Sequence, residues 1–379
     1  MKRTTSLLSG ACLLWPGLFS LISACSPSPV ASSGEELLMV VGTYTGEGST
    51  GIYTFRLHTG TGHWQALDSV SVDNPSFIAP GTDASMLYAV SENGNENDAL
   101  NVLRIDRQTG NMTLLGSQLT RGEAPCYVSA NAHFAVTANY TGGSLSPFPL
   151  DEKGLVAPVD TLFHGATGGD DAVRQATPHL HCAHFSPDGR YLLATDFSSD
   201  RILRFRVNDS RPFLTGPEVA AQLEPGQGPR HITFSPDGSF AYLISELSGH
   251  IHAFRYDATT GSLERIQHLL ADSVEARGSA HIQLSPDGCF LYASHRLQND
   301  GISIFAVNRQ QGTLSPVGYQ RTGIHPRHFA ITPDGRLLLV ACRDSHRIEI
   351  YRRDRQTGEL RPFASEIPLN KPVDILFIR

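Results

Sequence analysis

Apolar and polar positions alternate in short runs along this chain, and one stretch shows the pattern most plainly. Ile232 and Phe234 are spaced by two between polar neighbours, Ser235-Pro236-Asp237-Gly238 interrupts, and Phe240-Ala241-Tyr242-Leu243-Ile244 is continuously apolar. Period-two alternation bounded by Pro and Gly predicts strands. Ser-Pro-Asp-Gly predicts a turn, because Pro presets φ, Asp bonds nearby backbone and Gly accepts positive φ. The stretch is therefore an expected antiparallel hairpin. Its first strand begins beside the end of its second, which puts Arg230 and Glu246 at the same end.

The phrase recurs. Ser-Pro-Asp-Gly stands again at Ser186 and Ser285, and Thr332-Pro333-Asp334-Gly335 is a close variant. A proline opens the preceding strand at Pro75, Pro125, Pro178, Pro229, Pro326 and Pro372, with Ser279 in the same place once, about 50 residues apart. Proline at a strand's first residue removes no ladder hydrogen bond. A third apolar run follows each hairpin, as in Ile202-Leu203-Arg204-Phe205 and Ile348-Glu349-Ile350-Tyr351. A turn such as Gln356-Thr357-Gly358 then leads to a fourth strand. Four strands in each of seven repeats predict an all-β fold, a seven-bladed β-propeller of four-stranded antiparallel blades. The first repeat lacks a Pro-led innermost strand and the last has only that strand. N- and C-terminal strands are thus expected to share one blade and close the ring. The longest irregular stretch is 164–177, and long loops in compact domains are usually functional or mobile.

Composition agrees. Of 379 residues 18% are charged, with 35 Gly and 23 Pro, which suits turn-rich β structure. Net charge is −7 without a long basic cluster, which argues against nucleic acid as a partner. Residues 1–24 read as a lipoprotein signal peptide: Lys2 and Arg3, an apolar stretch, then Leu21-Ile22-Ser23-Ala24-Cys25, similar to a bacterial lipobox. That pattern implies cleavage before Cys25, lipidation of its thiol and a membrane anchor in the periplasm or at the cell surface. Ser26 suggests the outer membrane. Residues 25–36 read as a tether rich in Ser and Pro, and 37–379 as the propeller. Cys126, Cys182, Cys289 and Cys342 are far apart and predict small buried strand residues rather than a disulfide framework. Oligomeric state leaves no mark on the sequence.

Blades converge on a channel, so distant residues can form a ring. Two rows gather chemistry at one mouth. The starts of the innermost strands bring Ser76, Cys126, His179, Arg230, Ala280, Arg327 and Val373, with His181, His231, His281 and His328 close by. The ends of the second strands bring Phe197, Glu246, Arg296 and Arg343, with Asp196 one earlier. His231, His281 and His328 recur in register and read as repeat structure. Asp196 reads as a backbone-amide acceptor. His179 and His181 alternate on one strand, and no carboxylate partner for a metal stands out.

Arg174-Gln175, Pro178-His179-Leu180-His181, Ser186-Pro187-Asp188-Gly189, Asp196, Gly228-Pro229-Arg230-His231 and Ser245-Glu246-Leu247 together resemble the bacterial propeller lactonases. That family includes propeller-type 6-phosphogluconolactonases and, in fungi, carboxy-muconate lactonising enzymes. The resemblance runs from about Leu38 to the C-terminus and is faint before Pro125. It implies a catalytic set of His181, Arg230, Glu246 and Arg296, with His179, Arg174, Arg327 and Arg343 binding substrate. It also implies a sugar-lactone substrate and neither cofactor nor metal. Lactone hydrolysis needs a base for water and donors for an oxyanion. Glu246 and His181 are the candidate bases, and the arginines suit the oxyanion or a substrate carboxylate. No Gly-x-Ser-x-Gly elbow appears, which disfavours a serine nucleophile. An extracytoplasmic address favours an unphosphorylated lactone. Two rival readings stand beside this: a non-enzymatic envelope scaffold, and an enzyme that lactonises or isomerises a dicarboxylic acid.

Overall fold

The computed structural model describes residues 34–378 apart from 160. The expected signal peptide, Cys25 and most of the tether lie outside the described residues. The described chain forms seven four-stranded sheets, all antiparallel. Counting from the N-terminus, blade 1 is built from Glu36–Thr43, Gly51–His58 and Trp64–Ser71, with Pro372–Ile378 as its innermost strand. Val40 pairs with Leu376 and Val41 with Ile375, so the two ends of the chain complete one blade as expected. Among the described residues one helical turn, Arg343–Ser345, breaks the β pattern.

Blades stack face to face, so both faces of a middle strand are buried. In the strand Glu36–Thr43, Met39 and Val41 pack against Leu337, Leu339 and Ile348 of blade 7. Leu38 and Val40 of the same strand pack against Leu87, Ala89 and Leu103 of blade 2. Burial on both faces explains why second strands read as continuous apolar runs, whereas outer strands such as Leu214–Gln222 are mostly exposed.

The repeated turn has a physical cause. Ser186 Oγ donates to Asp188 Oδ1 at 2.6 Å and accepts from the Tyr191 N–H at 3.0 Å, while Gly189 sits at φ +70°. Ser235, Ser285 and Thr332 make the same pair of bonds in their blades. Asn131 substitutes in blade 3, its Oδ1 accepting from the N–H groups of His133 and Phe134. Ser186→Ala leaves the buried Tyr191 N–H without this partner. The expected loss is about 1–3 kcal/mol, read from urea denaturation.

Candidate active site

One end of the ring is organised by a hydrogen bond that recurs in every blade. The residue after each second strand donates its N–H to a carbonyl at the start of that blade's innermost strand. The donors are Tyr44, Glu92, Tyr140, Phe197, Glu246, Arg296 and Arg343, with N···O distances from 2.8 Å for Glu246 to 3.2 Å for Arg296. These seven residues crown the mouth. Both rows read from the sequence therefore do lie at the same end.

The register corrects one detail. Pro229 pairs with Ser245 in blade 5, whereas Leu180 pairs with Asp196 in blade 4. The blade-4 strand thus starts two residues after its proline. His181, not His179, is the counterpart of Arg230, Cys126 and Arg327, and His179 is displaced outward to the rim. His231, His281 and His328 share the next position inward with Cys182. The sequence misled here because Pro178 stands where a strand-opening proline stands elsewhere.

Glu246 is the hub. Its Oε2 accepts from Arg230 Nε at 2.9 Å and Arg296 Nη2 at 3.0 Å, and its Oε1 accepts from Arg174 Nη2 at 2.8 Å. Arg230 is only 1% exposed, His181 4%, Glu246 5% and Arg296 7%. Burial alone would raise the Glu246 carboxyl, but the guanidiniums of Arg296 and Arg230 outweigh it and hold it well below the usual carboxylate range. Arg230 is pulled down to about 9 by burial and by Arg296, which still leaves it charged at neutral pH. His181 is held well below its ordinary value by burial and by Arg230, so its imidazole is neutral. Cys126 donates its S–H to the His181 carbonyl oxygen at 3.4 Å, and His181 Nδ1 lies 3.6 Å from the same sulfur. That contact places the ring proton on Nδ1 and the lone pair on Nε2.

A second ion pair completes the mouth. Arg327 Nη2 donates to Glu92 Oε2 at 3.1 Å, the Tyr44 hydroxyl donates to the same oxygen at 2.9 Å, and the guanidinium lies 5.4 Å from the Tyr44 ring centre. Glu92 and Tyr44 were missed in the sequence. The Ser91-Glu92 dipeptide, matching Ser245-Glu246 at the end of a second strand, was the signal that could have found Glu92. Four guanidiniums (Arg174, Arg230, Arg296 and Arg327) thus meet two carboxylates, an excess of positive charge.

Arg174 comes from the irregular stretch 164–177. Gln175 pins that segment, donating from Nε2 to the Phe197 carbonyl at 2.8 Å and to Asp200 Oδ1 at 2.9 Å. Arg174 then reaches over the Phe197 ring to Tyr140 Oη at 3.0 Å and to Glu246. His179 stacks on Tyr140 with ring centres 4.1 Å apart and its Nδ1 meets the Tyr140 carbonyl at 2.7 Å. His181 meets the edge of the same Tyr140 ring, with ring centres 5.4 Å apart. Arg343 is not drawn into the Glu246 cluster: it forks onto its neighbour Asp344 at 2.7 and 2.8 Å, at the rim. Asp196 accepts from the Ala166 N–H at 3.0 Å, the structural role expected of it.

A cavity of about 600 Å³ lies away from this chemistry, toward the hairpin-turn end of the channel. Phe77, Tyr127, His231, His281, His328 and Asp374 are among its lining. Asp374, buried, is pushed up to about 7 by loss of water. The charged mouth is the candidate site, because convergent donors and a neutral imidazole meet there.

Comparison with known proteins identifies the family of the chain. The family profile described as "Lactonase, 7-bladed beta-propeller" matches residues 38–377. A 6-phosphogluconolactonase from Formosa agariphila is 37% identical over 343 residues, covering 88% of this chain and 97% of the relative. A 6-phosphogluconolactonase from Bacillus subtilis is 33% identical over 349 residues, covering 89% and 97%. The solved structure of the Pseudomonas aeruginosa periplasmic gluconolactonase PpgL superposes with TM-score 0.85 at 29% identity, covering 91% of this chain and 99% of that one.

Proposed function

Because the chain belongs to the seven-bladed β-propeller lactonase family, we propose that it hydrolyses a sugar lactone with water at the mouth built around Glu246. The observation that carries the reading is the neutral, buried His181 beside an excess of guanidinium charge. Water attacks the lactone carbonyl while His181 Nε2 takes its proton. The Arg230 and Arg327 guanidiniums stabilise the oxyanion that forms. The ring C–O bond then breaks, the proton passes to the departing alkoxide, and a hydroxy acid leaves. Glu246 is poorly suited to be the base, since its carboxylate is committed to three arginines. It holds Arg230, Arg296 and Arg174 in place and stabilises the imidazolium that His181 becomes. Arg174, His179 and Tyr140 stand at the exposed rim, where sugar hydroxyls would pass.

The proposed location is the cell envelope, on the reading of Leu21-Ile22-Ser23-Ala24-Cys25 as a lipobox that would be cleaved before Cys25 and lipidated there. For that reason the proposed substrate is an unphosphorylated aldonolactone. Proton release is measured with gluconolactone, its 6-phosphate and a muconate. Turnover of gluconolactone is expected, with His181→Gln slower by about 10²–10⁴-fold while still folded. Hydrolysis of the 6-phosphate alone would reject the unphosphorylated substrate. Turnover of the muconate alone, or of nothing, would reject the lactonase reading.

A further inference from the structure

Away from the mouth, four side chains gather where blade 4 meets blade 5. His250 and His252 lie on the strand His250–Asp257, and His268 lies on its neighbour Ser262–Leu270, directly opposite His252. Glu224 follows the outer strand Leu214–Gln222 of the preceding blade. One ligand atom each from Glu224, His252 and His268 falls within 4.8 Å of the others. The His252 and His268 rings stack at 4.5 Å, and His250 lies 4.4 Å from His268.

An independent observation points to a missing ligand. His252 is fully buried, yet its Nδ1 has no hydrogen-bond partner. Its Nε2 lies 3.1 Å from Gln227 Oε1, which also accepts from Ser248 Oγ at 2.7 Å. A carbonyl oxygen can only accept, so the His252 proton sits on Nε2 and Nδ1 carries a bare lone pair. That is the tautomer a metal-binding imidazole needs, with its second nitrogen held by an outer partner. His250 is fixed likewise, its Nδ1 meeting the Ser248 carbonyl at 3.1 Å, which leaves Nε2 unprotonated. Burial keeps His252 neutral, lowered to about 3. Arg265 Nη1 holds Glu224 Oε2 at 2.7 Å and leaves Oε1 for a cation. Hydrogen bonding alone does not explain a buried imidazole with an idle lone pair, because such groups are normally satisfied.

We propose that His252, His268 and Glu224, with His250 beside them, bind one divalent transition-metal ion that staples blade 4 to blade 5. Imidazole and carboxylate donors suit zinc, with copper or nickel as chemical substitutes. The exposed His268 and Glu224 can turn to close the remaining distance around the fixed His252.

The test uses tag-free protein freed of metal with a chelator, titrated with Zn²⁺ by calorimetry and by thermal unfolding. One equivalent is expected to bind and to raise Tm. His268→Ala and Glu224→Gln, both at exposed positions, are each expected to weaken binding by about 10-fold or more and to reduce that rise. His252→Asn is expected to abolish both. If that variant does not fold, the two exposed variants decide alone. Absence of Zn²⁺ uptake, or uptake that both exposed variants leave unchanged, overturns the proposal. Lactone turnover plays no part in the readout, so this result stands apart from the catalytic assignment.

Discussion

Glu246→Gln is expected to cost about 3–5 kcal/mol of stability in urea denaturation and to remove most turnover. Glutamine keeps the size and one acceptor but deletes the charge that faces Arg230, Arg296 and Arg174 together. Arg230 and Arg296 are almost wholly buried, so water cannot replace that charge. Removing one member of a buried charge cluster is far more damaging than replacing the cluster, because the remaining charges stay desolvated and repel. A cycle separates the causes. Adding Arg296→Met to Glu246→Gln should recover part of the lost stability without restoring turnover, since one uncompensated guanidinium is gone while the mouth still lacks its anchor. A loss below about 1 kcal/mol in the single variant would mean that the arginines do not depend on Glu246. A folded Glu246→Gln protein with unchanged stability and no activity would instead return the base role to Glu246.

The fold was legible because its cause is local and repeated. The turn bonds of Ser186, Ser235, Ser285 and Thr332 need those residue types, so the chain repeats them in blades 4 to 7. The gathering of Arg230 and Glu246 followed from hairpin direction alone. What the sequence could not show depends on register and on contacts between blades. The blade-4 strand opens two residues after Pro178, so His181 rather than His179 stands in register with Arg230. Arg174 arrived from an irregular segment whose path is set by Gln175 bonds to Phe197 and Asp200, which no periodicity encodes. Glu92 and Tyr44 lie in the blades where the repeat is weakest, and Arg327 reaches them only because the ring closes. The proposal of His181 rather than Glu246 as base likewise rests on three-dimensional facts, namely how many guanidiniums surround the one and how buried the other is.

The second large effect concerns pH. Half-buried His184 and buried His252, His295, His325 and His328 are held down at about 4, 3, 4, 2 and 3, in each case chiefly by loss of water. An unfolded chain titrates its histidines near 6.5. Below that value the unfolded state takes up protons that the native state refuses, so stability falls as pH falls. The loss continues down to each folded value. Five such groups give a limiting slope of about 7 kcal/mol per pH unit, large beside a typical total stability of about 5–15 kcal/mol. Glu246 acts in the same direction below its ordinary value, because its carboxyl is also depressed. Asp374 opposes them: raised to about 7, it binds a proton in the native state first and gains stability as pH falls toward its ordinary value. One opposing group cannot offset five. Circular dichroism should therefore show cooperative unfolding within about one to two pH units below 6.5, well above the range where surface carboxylates titrate. Activity should vanish over the same window, because His181, the proposed base, remains unprotonated until the fold itself is lost. A protein still folded at pH 4 would mean that these imidazoles take up protons without unfolding the blades, and the proposed origin of the acid sensitivity would be wrong.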